Sequence, residues 1–173
     1  NNLDYINIFE DDIYLGENAK ELLEIDYIPK DTDILKLETL YGKIMLGSMY
    51  KIKCQRNIFQ LKYKHTGMGG YTITAKGARY LLNKIQNRQL VLAIDTLIFD
   101  KLLNQREYKV MQLYPAVCIQ DLIINGESKF KSSLQDGRET VHANQTKTTP
   151  LEKVINELGR IKRRIFGKPV PFK

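Results

Sequence analysis

Within some twenty residues the chain passes from a glycine-dense turn to a strand pattern and then to a helix pattern. His65-Thr66-Gly67-Met68-Gly69-Gly70 is the turn, and Tyr71-Thr72-Ile73 behind it is short and β-prone. Thr74 then opens a segment through Gln86 in which Ala78, Leu81, Leu82 and Ile85 recur at three- and four-residue spacing. Turn, strand and amphipathic helix in direct succession build an α/β sheet rather than a sandwich or a helical bundle. Other segments agree. Tyr5 to Phe9 is a short apolar, β-branched and aromatic run, expected as a buried strand. Asn18 to Glu24 is expected as a short helix capped by Asn18, with Leu22 and Leu23 on its buried side. Asp33 to Thr39 alternates apolar and polar residues, so it is expected as a half-exposed strand. Residues 44–63 hold several short strand-like pieces. A helix is expected over Thr96 to Leu103, and a strand over Lys109 to Leu113 that Pro115 to Ile119 would extend.

Of the 173 residues, 43% are hydrophobic and 27% charged, which suits a soluble globular chain with one core. That apolar content excludes disorder throughout, and only 11 Gly and 5 Pro exclude a collagen-like chain. The most apolar stretch, Leu90 to Leu103, is interrupted by Asp95, Asp100 and Lys101 and is too short to cross a bilayer. The two cysteines, Cys54 and Cys118, are too few for a disulfide scaffold and fit a reducing compartment. The chain begins Asn1-Asn2-Leu3 and reads as a core strand by residue 5, the pattern expected of a fragment whose N-terminal part is missing. Three regions are expected: a body over 1–124, a polar loop or linker over 125–149, and a basic helix with its tail over 150–173. Thr149-Pro150-Leu151-Glu152 forms a capping box with a proline start. Leu151, Val154, Ile155, Leu158, Ile161 and Ile165 follow helical spacing, and Gly167 with Pro169 ends the helix.

The net charge of +7 is open to nucleic acid, an anionic membrane surface or an anionic substrate. Residues 151–173 hold seven basic and two acidic residues, which leaves only +2 for the rest of the chain. An amphipathic helix with Arg160, Lys162, Arg163 and Arg164 reads either as a membrane-surface element or as a packed helix with a solvated basic face. Leu61-Lys62-Tyr63-Lys64-His65 alone interleaves aromatic and basic residues, so a non-catalytic basic α/β module for nucleic acid or membrane is the alternative reading.

Glu10-Asp11-Asp12 is the sharpest chemical signal. Three consecutive carboxylates repel unless a cation or solvent offsets them, and they follow a buried strand at the end where open α/β sheets bind ligands. Such hard oxygens suit Mg²⁺ or Mn²⁺ beside a phosphate; the plainer reading is a solvated acidic turn. The glycine cluster either admits a ligand to the backbone or permits positive φ in a turn, and it matches neither a P-loop nor a dinucleotide fingerprint. Asp95, between Ile94 and Leu97-Ile98, is a helix cap or an acid–base group. Burial there would raise its pKa, which suits a general base. With His65 and His142 the only histidines, neither a zinc site nor a two-metal phosphohydrolase is expected.

Together, Phe9-Glu10-Asp11-Asp12-Ile13, Gly69-Gly70-Tyr71-Thr72-Ile73-Thr74 with Lys76-Gly77-Ala78, Ile94-Asp95, and Gln112-Leu113-Tyr114-Pro115-Ala116-Val117-Cys118-Ile119-Gln120-Asp121 occur in an order that resembles glycosyltransferase family 25. These are the lipooligosaccharide-biosynthesis glycosyltransferases of Gram-negative bacteria. The resemblance covers about residues 3–135. It implies a GT-A-like nucleotide-sugar-binding sheet flanked by helices, here incomplete, followed by the basic C-terminal helix. It also implies inverting transfer of galactose or glucose from a UDP-sugar to a lipooligosaccharide hydroxyl, assisted by Mn²⁺ or Mg²⁺. By the same carry-over Glu10 and Asp12 hold the cation, Asp11 contacts the donor, and Gly69, Gly70 and Tyr71 line the donor or acceptor cleft; His65, read from its place beside the glycine turn, is a candidate for a donor diphosphate or an acceptor hydroxyl. Asp95 is the base, and Gln120 and Asp121 lie at the rim of the acceptor cleft. The expected location is cytoplasmic, at the inner membrane surface, with no nucleic-acid partner. The 173 residues alone are expected to show weak or no activity.

Overall fold

The computed structural model describes residues 3–86, 93–126 and 150–173. The expected polar loop from 127 onward, the Thr149 cap and residues 90–92 of the apolar stretch lie outside them. The main sheet has six strands in the order β1-β8-β3-β9-β7-β6, built from β1 (Tyr5–Phe9), β3 (Ile34–Lys36), β6 (Leu46–Lys51), β7 (Asn57–Leu61), β8 (Gly70–Thr74) and β9 (Val110–Tyr114). Strands β1, β3, β9 and β6 run one way; β8 and β7 run the other. A second sheet places β10 (Cys118–Gln120) between β2 (Ile13–Leu15) and β4 (Glu38–Thr39), and β5 (Lys43–Ile44) pairs with β11 (Lys168–Pro169). The architecture is mixed α/β, a multi-stranded sheet flanked by helices.

The turn–strand–helix unit forms as its sequence dictates. Thr74 caps α2 (Ala75–Ile85), its hydroxyl accepting from Gly77 N at 3.1 Å. Leu81 of that helix is buried, but Leu82 is 60% exposed, so the apolar face is narrower than its spacing implies. Helix α1 (Ala19–Leu22) is shorter than expected. Asn18 precedes it in the left-handed region, with φ 59° and no side-chain cap. That conformation turns its carboxamide away from the helix amides, which corrects the expected cap. The helix after Asp95 begins one residue before it, as α3 (Ile94–Thr96), and continues as a π-turn over Leu97–Lys101.

Two strand expectations need correction. The stretch Asp33 to Thr39 is buried at every residue rather than half-exposed. Strand β3 lies between β8 and β9, and its polar side chains are covered as fully as its apolar ones. Pro115 to Ile119 does not extend β9. The chain leaves the main sheet and pairs Cys118–Gln120 antiparallel to β2, with Cys118 and Ile119 parallel to β4.

Two apolar cores flank the main sheet. Ile34, Leu61, Ile73, Phe99 and Val110 belong to one, and Leu22, Leu35, Leu37, Ile58, Met111 and Leu113 to the other. Helix α4 (Asp121–Asn125) follows β10, and α5 (Pro150–Phe166) leads to a tail that enters the body. Val170 is 1% exposed, and its carbonyl accepts from Thr39 Oγ1 at 2.5 Å. The Arg56 guanidinium ties the tail down, donating to Pro115, Ala116, Glu17 and Lys173 carbonyls. Cys54 and Cys118 are both free, and no helix among the described residues is long and apolar enough to cross a membrane.

Candidate active site

Strands β1, β3 and β9 point their carboxyl ends to one edge of the sheet, and the glycine turn before β8 crosses that edge. This is where an open α/β sheet offers a crevice. Below the turn lies a pair that sequence reasoning missed. The side chains of Lys36 and Glu38 are both 0% exposed and form a 2.6 Å ion pair. Lys36 Nζ also donates to the Thr66 carbonyl (3.1 Å) and the Gly67 carbonyl (2.6 Å) and lies 4.2 Å from the centre of the Phe99 ring. Glu38 Oε2 accepts from Gly69 N at 2.9 Å. Burial holds the Lys36 ammonium below the usual lysine range, opposed by the Glu38 carboxylate. Alternate residues of an extended segment share a face, so the Lys-x-Glu spacing across the junction of β3 and β4 was the available signal for the pair.

The turn is shaped by this pair. Gly67 adopts φ +83°, a conformation side chains rarely accept, and a Cβ there would meet Glu38 Oε1 at 2.9 Å. His65 is 7% exposed; its backbone N donates to the Phe99 carbonyl at 3.0 Å. Its Nδ1 lies 2.6 Å from the Thr66 carbonyl, which can only accept, so Nδ1 carries the proton. Burial, with smaller contributions from Lys36 and Arg163, pushes the imidazole down to about 3. His65 is therefore a neutral anchor of the turn, and the cation a diphosphate would seek is not supplied there.

Carboxylates stand on both sides of the turn. On one side Asp95 Oδ1 accepts from Thr96 N at 2.6 Å, while among the described residues Oδ2 is held by Gly67 N alone, at 3.4 Å. On the other side Gln120 Nε2 donates to Glu10 Oε2, and Glu10 N donates to the Gly69 carbonyl at 3.0 Å. Asp121 is buried; its carboxylate accepts from Tyr14 Oη and Asn125 Nδ2, both at 2.7 Å, and its N donates to the Asp12 carbonyl at 2.8 Å. Asp121 thus holds α4 and β2 together beneath the acidic turn rather than lying at a cleft rim. Gly70 is buried at the start of β8, where a Cβ would collide with Cys118 Sγ. Tyr71 follows it, packed edge-on against Phe99, and burial with the nearby Glu10 raises its phenol above the ordinary range. The structure thus brings Glu10, His65, Gly69, Gly70, Tyr71, Asp95 and Gln120 around one turn. Arg163 reaches the neighbourhood of His65, whereas Arg160, Lys162 and Arg164 lie exposed along α5.

Among the described residues no group of three or more His, Cys, Asp or Glu side chains is gathered into a metal cage. The acidic turn still fits a hard cation of the kind that one or two carboxylates and substrate phosphates complete. Asp11 is exposed, Asp12 half-buried, and neither side chain is engaged by a described residue. A cavity of about 730 Å³ lies at the opposite, amino ends of β3 and β9, lined by Asp31, Lys76, Arg106 and Lys109, and touches none of these groups.

The chain matches the family model described as glycosyltransferase family 25 (LPS biosynthesis protein) over residues 1–98. It is a member of glycosyltransferase family 25. It is 53% identical over its whole length to a putative glycosyltransferase of Haemophilus influenzae, covering 61% of that protein. It is 36% identical over 95% of its length to the lipooligosaccharide biosynthesis protein lex-1 of the same species, covering 57% of it. It is 28% identical over 94% of its length to the lacto-N-neotetraose biosynthesis glycosyltransferase LgtE of Neisseria gonorrhoeae, covering 64%. The chain spans about three fifths of the length of these curated relatives. Within this family-25 chain, the matched residues 1–98 include the acidic turn, the Lys36–Glu38 pair, the glycine turn and Asp95.

Proposed function

We propose that the protein transfers a hexose, galactose or glucose, from a UDP-sugar to a hydroxyl of a lipooligosaccharide glycan, with inversion at the anomeric carbon. In this reading the main sheet is a GT-A-like nucleotide-sugar sheet, and the enzyme works in the cytoplasm beside an anionic membrane surface. The observation that carries it is the glycine turn, which spaces Asp95 from Glu10 and Gln120 at the carboxyl edge of the sheet. Relatives named for lipooligosaccharide and lacto-N-neotetraose biosynthesis support the choice of glycan.

Glu10 and Asp12 are the carboxylates that would hold Mn²⁺ or Mg²⁺, with Asp11 turned to the donor; the cation, when bound, supplies positive charge against the departing diphosphate. Gly69, Gly70 and Tyr71 shape the donor side, the two glycines leaving the room that Glu38, Gln120 and Cys118 fill behind the turn. Gln120, fixed on Glu10, borders the acceptor. Asp95 is the base, and its lightly held Oδ2 takes the acceptor hydroxyl proton. The hydroxyl oxygen then forms the new bond to the anomeric carbon as the bond to the diphosphate oxygen breaks, and the electron pair leaves with the diphosphate. A single displacement of this kind needs one base and inverts the centre.

The whole protein, screened with UDP-hexoses, Mn²⁺ or Mg²⁺ and a lipooligosaccharide acceptor, tests the reading. Asp95→Asn is expected to lower turnover by ~10²–10⁴-fold while donor binding stays nearly unchanged. Lost donor binding would instead make Asp95 structural, and a product of retained configuration would overturn the single displacement. Asp12→Asn with unchanged metal dependence would remove the acidic turn from the mechanism.

A further inference from the structure

Helix α5 is fixed to the body along one narrow line. Gly159 is buried against Tyr63, where a Cβ on the glycine would collide with the phenol hydroxyl. Each residue advances about 100° around a helix, so Arg163 follows Gly159 on the body-facing side, and it is half-buried. Arg160 and Arg164 come next around the helix, over the turn before β5. There Lys43 Nζ donates to the Arg164 carbonyl at 3.0 Å. Gly42, Lys43, Arg160, Arg163 and Arg164 line a cavity of about 460 Å³. No carboxylate lines it, and among the described residues only Arg160 has an ion-pair partner, the exposed Glu157. Four cationic side chains around one concavity repel one another until an anion enters.

Around the helix from the Gly159 line, on the side away from Arg160, apolar side chains point outward: Leu158 is 54% exposed, Ile161 47% and Ile165 64%. Lys162 and the 68% exposed Phe166 occupy the remaining flank. A stripe of exposed branched aliphatics beside a cationic hollow matches the two layers of a bilayer surface, phosphate above and hydrocarbon below. A soluble phosphate would use the hollow alone and leave the stripe unexplained.

We propose that α5 seats on an anionic phospholipid surface, with one lipid phosphate held by Lys43, Arg160, Arg163 and Arg164 and the Leu158–Ile161–Ile165 stripe entering the headgroup–acyl boundary. This deepens the membrane-surface part of the proposed function and rests on it; sugar transfer is not required for it.

The test is co-flotation of the intact protein with phosphatidylcholine vesicles, with and without phosphatidylglycerol. The protein is expected to float only with phosphatidylglycerol. R160Q/R164Q should weaken binding about fivefold for each charge removed, roughly 25-fold together. I161S/I165S should weaken it as well, and millimolar inorganic phosphate should compete with the vesicles. Thermal melting of both variants checks that they fold. If R160Q/R164Q is folded and binds as tightly as the unaltered protein, the headgroup pocket is overturned while the membrane reading stands. If the unaltered protein ignores phosphatidylglycerol vesicles, both fall. Inorganic phosphate that binds at Arg160 and Arg164 without any vesicle binding would overturn the lipid as occupant.

Discussion

Glu38→Gln isolates the buried pair beneath the glycine turn. The substitution keeps the side-chain shape, and a carboxamide oxygen can still accept from Gly69 N, but the charge opposite Lys36 is gone. Both side chains are 0% exposed, so solvent screens nothing. A buried charge left without its partner costs about 3–5 kcal/mol. Lys36 retains two carbonyl acceptors, from Thr66 and Gly67, which places the expected loss near the lower end. Glu38 is the main influence opposing burial at Lys36, so the lysine pKa falls further in the variant. The unfolded lysine then holds its proton at pH values where the folded one has lost it. The unfolding free energy of the variant should therefore rise with pH between the new folded pKa and the ordinary lysine value of 10.5, more steeply than in the unaltered protein. Urea denaturation at pH 7 and pH 9 reads both effects, and amide hydrogen exchange at Gly67 and Gly69 reads the turn itself. Lys36→Met with Glu38→Leu should recover most of the stability, since apolar replacement of a buried pair is often neutral, yet leave the Gly69 amide unprotected. A Glu38→Gln loss under about 1 kcal/mol, with Gly69 protection unchanged, would refute the reasoning.

Three other outcomes follow from the same packing. The folded His65 imidazole is pushed down to about 3 from 6.5, so it contributes stability above pH 6.5 that is lost as pH falls toward 3. The loss is about 1.4 kcal/mol per pH unit, and His65→Gln should remove that slope from acid denaturation; an unchanged slope would assign it to other groups. Arg56→Met removes four hydrogen bonds, taking this donor from the Pro115, Glu17 and Lys173 carbonyls while Ala116 O keeps Lys173 N, and should cost ~3 kcal/mol, with proteolysis opening first at residues 168–173. A loss below about 1 kcal/mol would show that the tail holds without the guanidinium. Gly70→Ala forces a methyl onto Cys118 Sγ and should cost about 1–3 kcal/mol, and Cys118→Ala in the same chain should return much of it.

Local pattern carried the strand–helix succession, because Thr74 capping, β-prone Tyr71 to Ile73 and the α2 spacing act within a few residues. It misjudged Asp33 to Thr39 for a physical reason. Alternation says only that successive side chains take opposite faces, not that the polar face meets water. Here both faces of β3 are covered, and Lys36 and Glu38 satisfy each other in the dark. The expected continuation of β9 failed similarly. The partners of β10 are Ile13–Leu15 and Glu38–Thr39, 80 to 107 residues back in the chain, and no local signal announces such pairings.

The difference between the legible and illegible parts of the site explains how it is built. Glu10, Asp12 and Asp95 stand out in the sequence as candidates because a carboxylate at a strand end or before a helix is locally conspicuous. The glycine turn was weak by itself, since glycines permit many conformations and select none. What selects one is the Lys36–Glu38 pair, whose bonds run to Thr66, Gly67 and Gly69 rather than only to each other. An apolar pair of similar volume would stabilise the core as well or better. The charged pair instead fixes the glycine turn that lies between Asp95 and Glu10. The turn therefore depends on two residues that would never face a substrate, and Glu38→Gln should loosen it, read as faster amide exchange at Gly67 and Gly69, before it unfolds the protein.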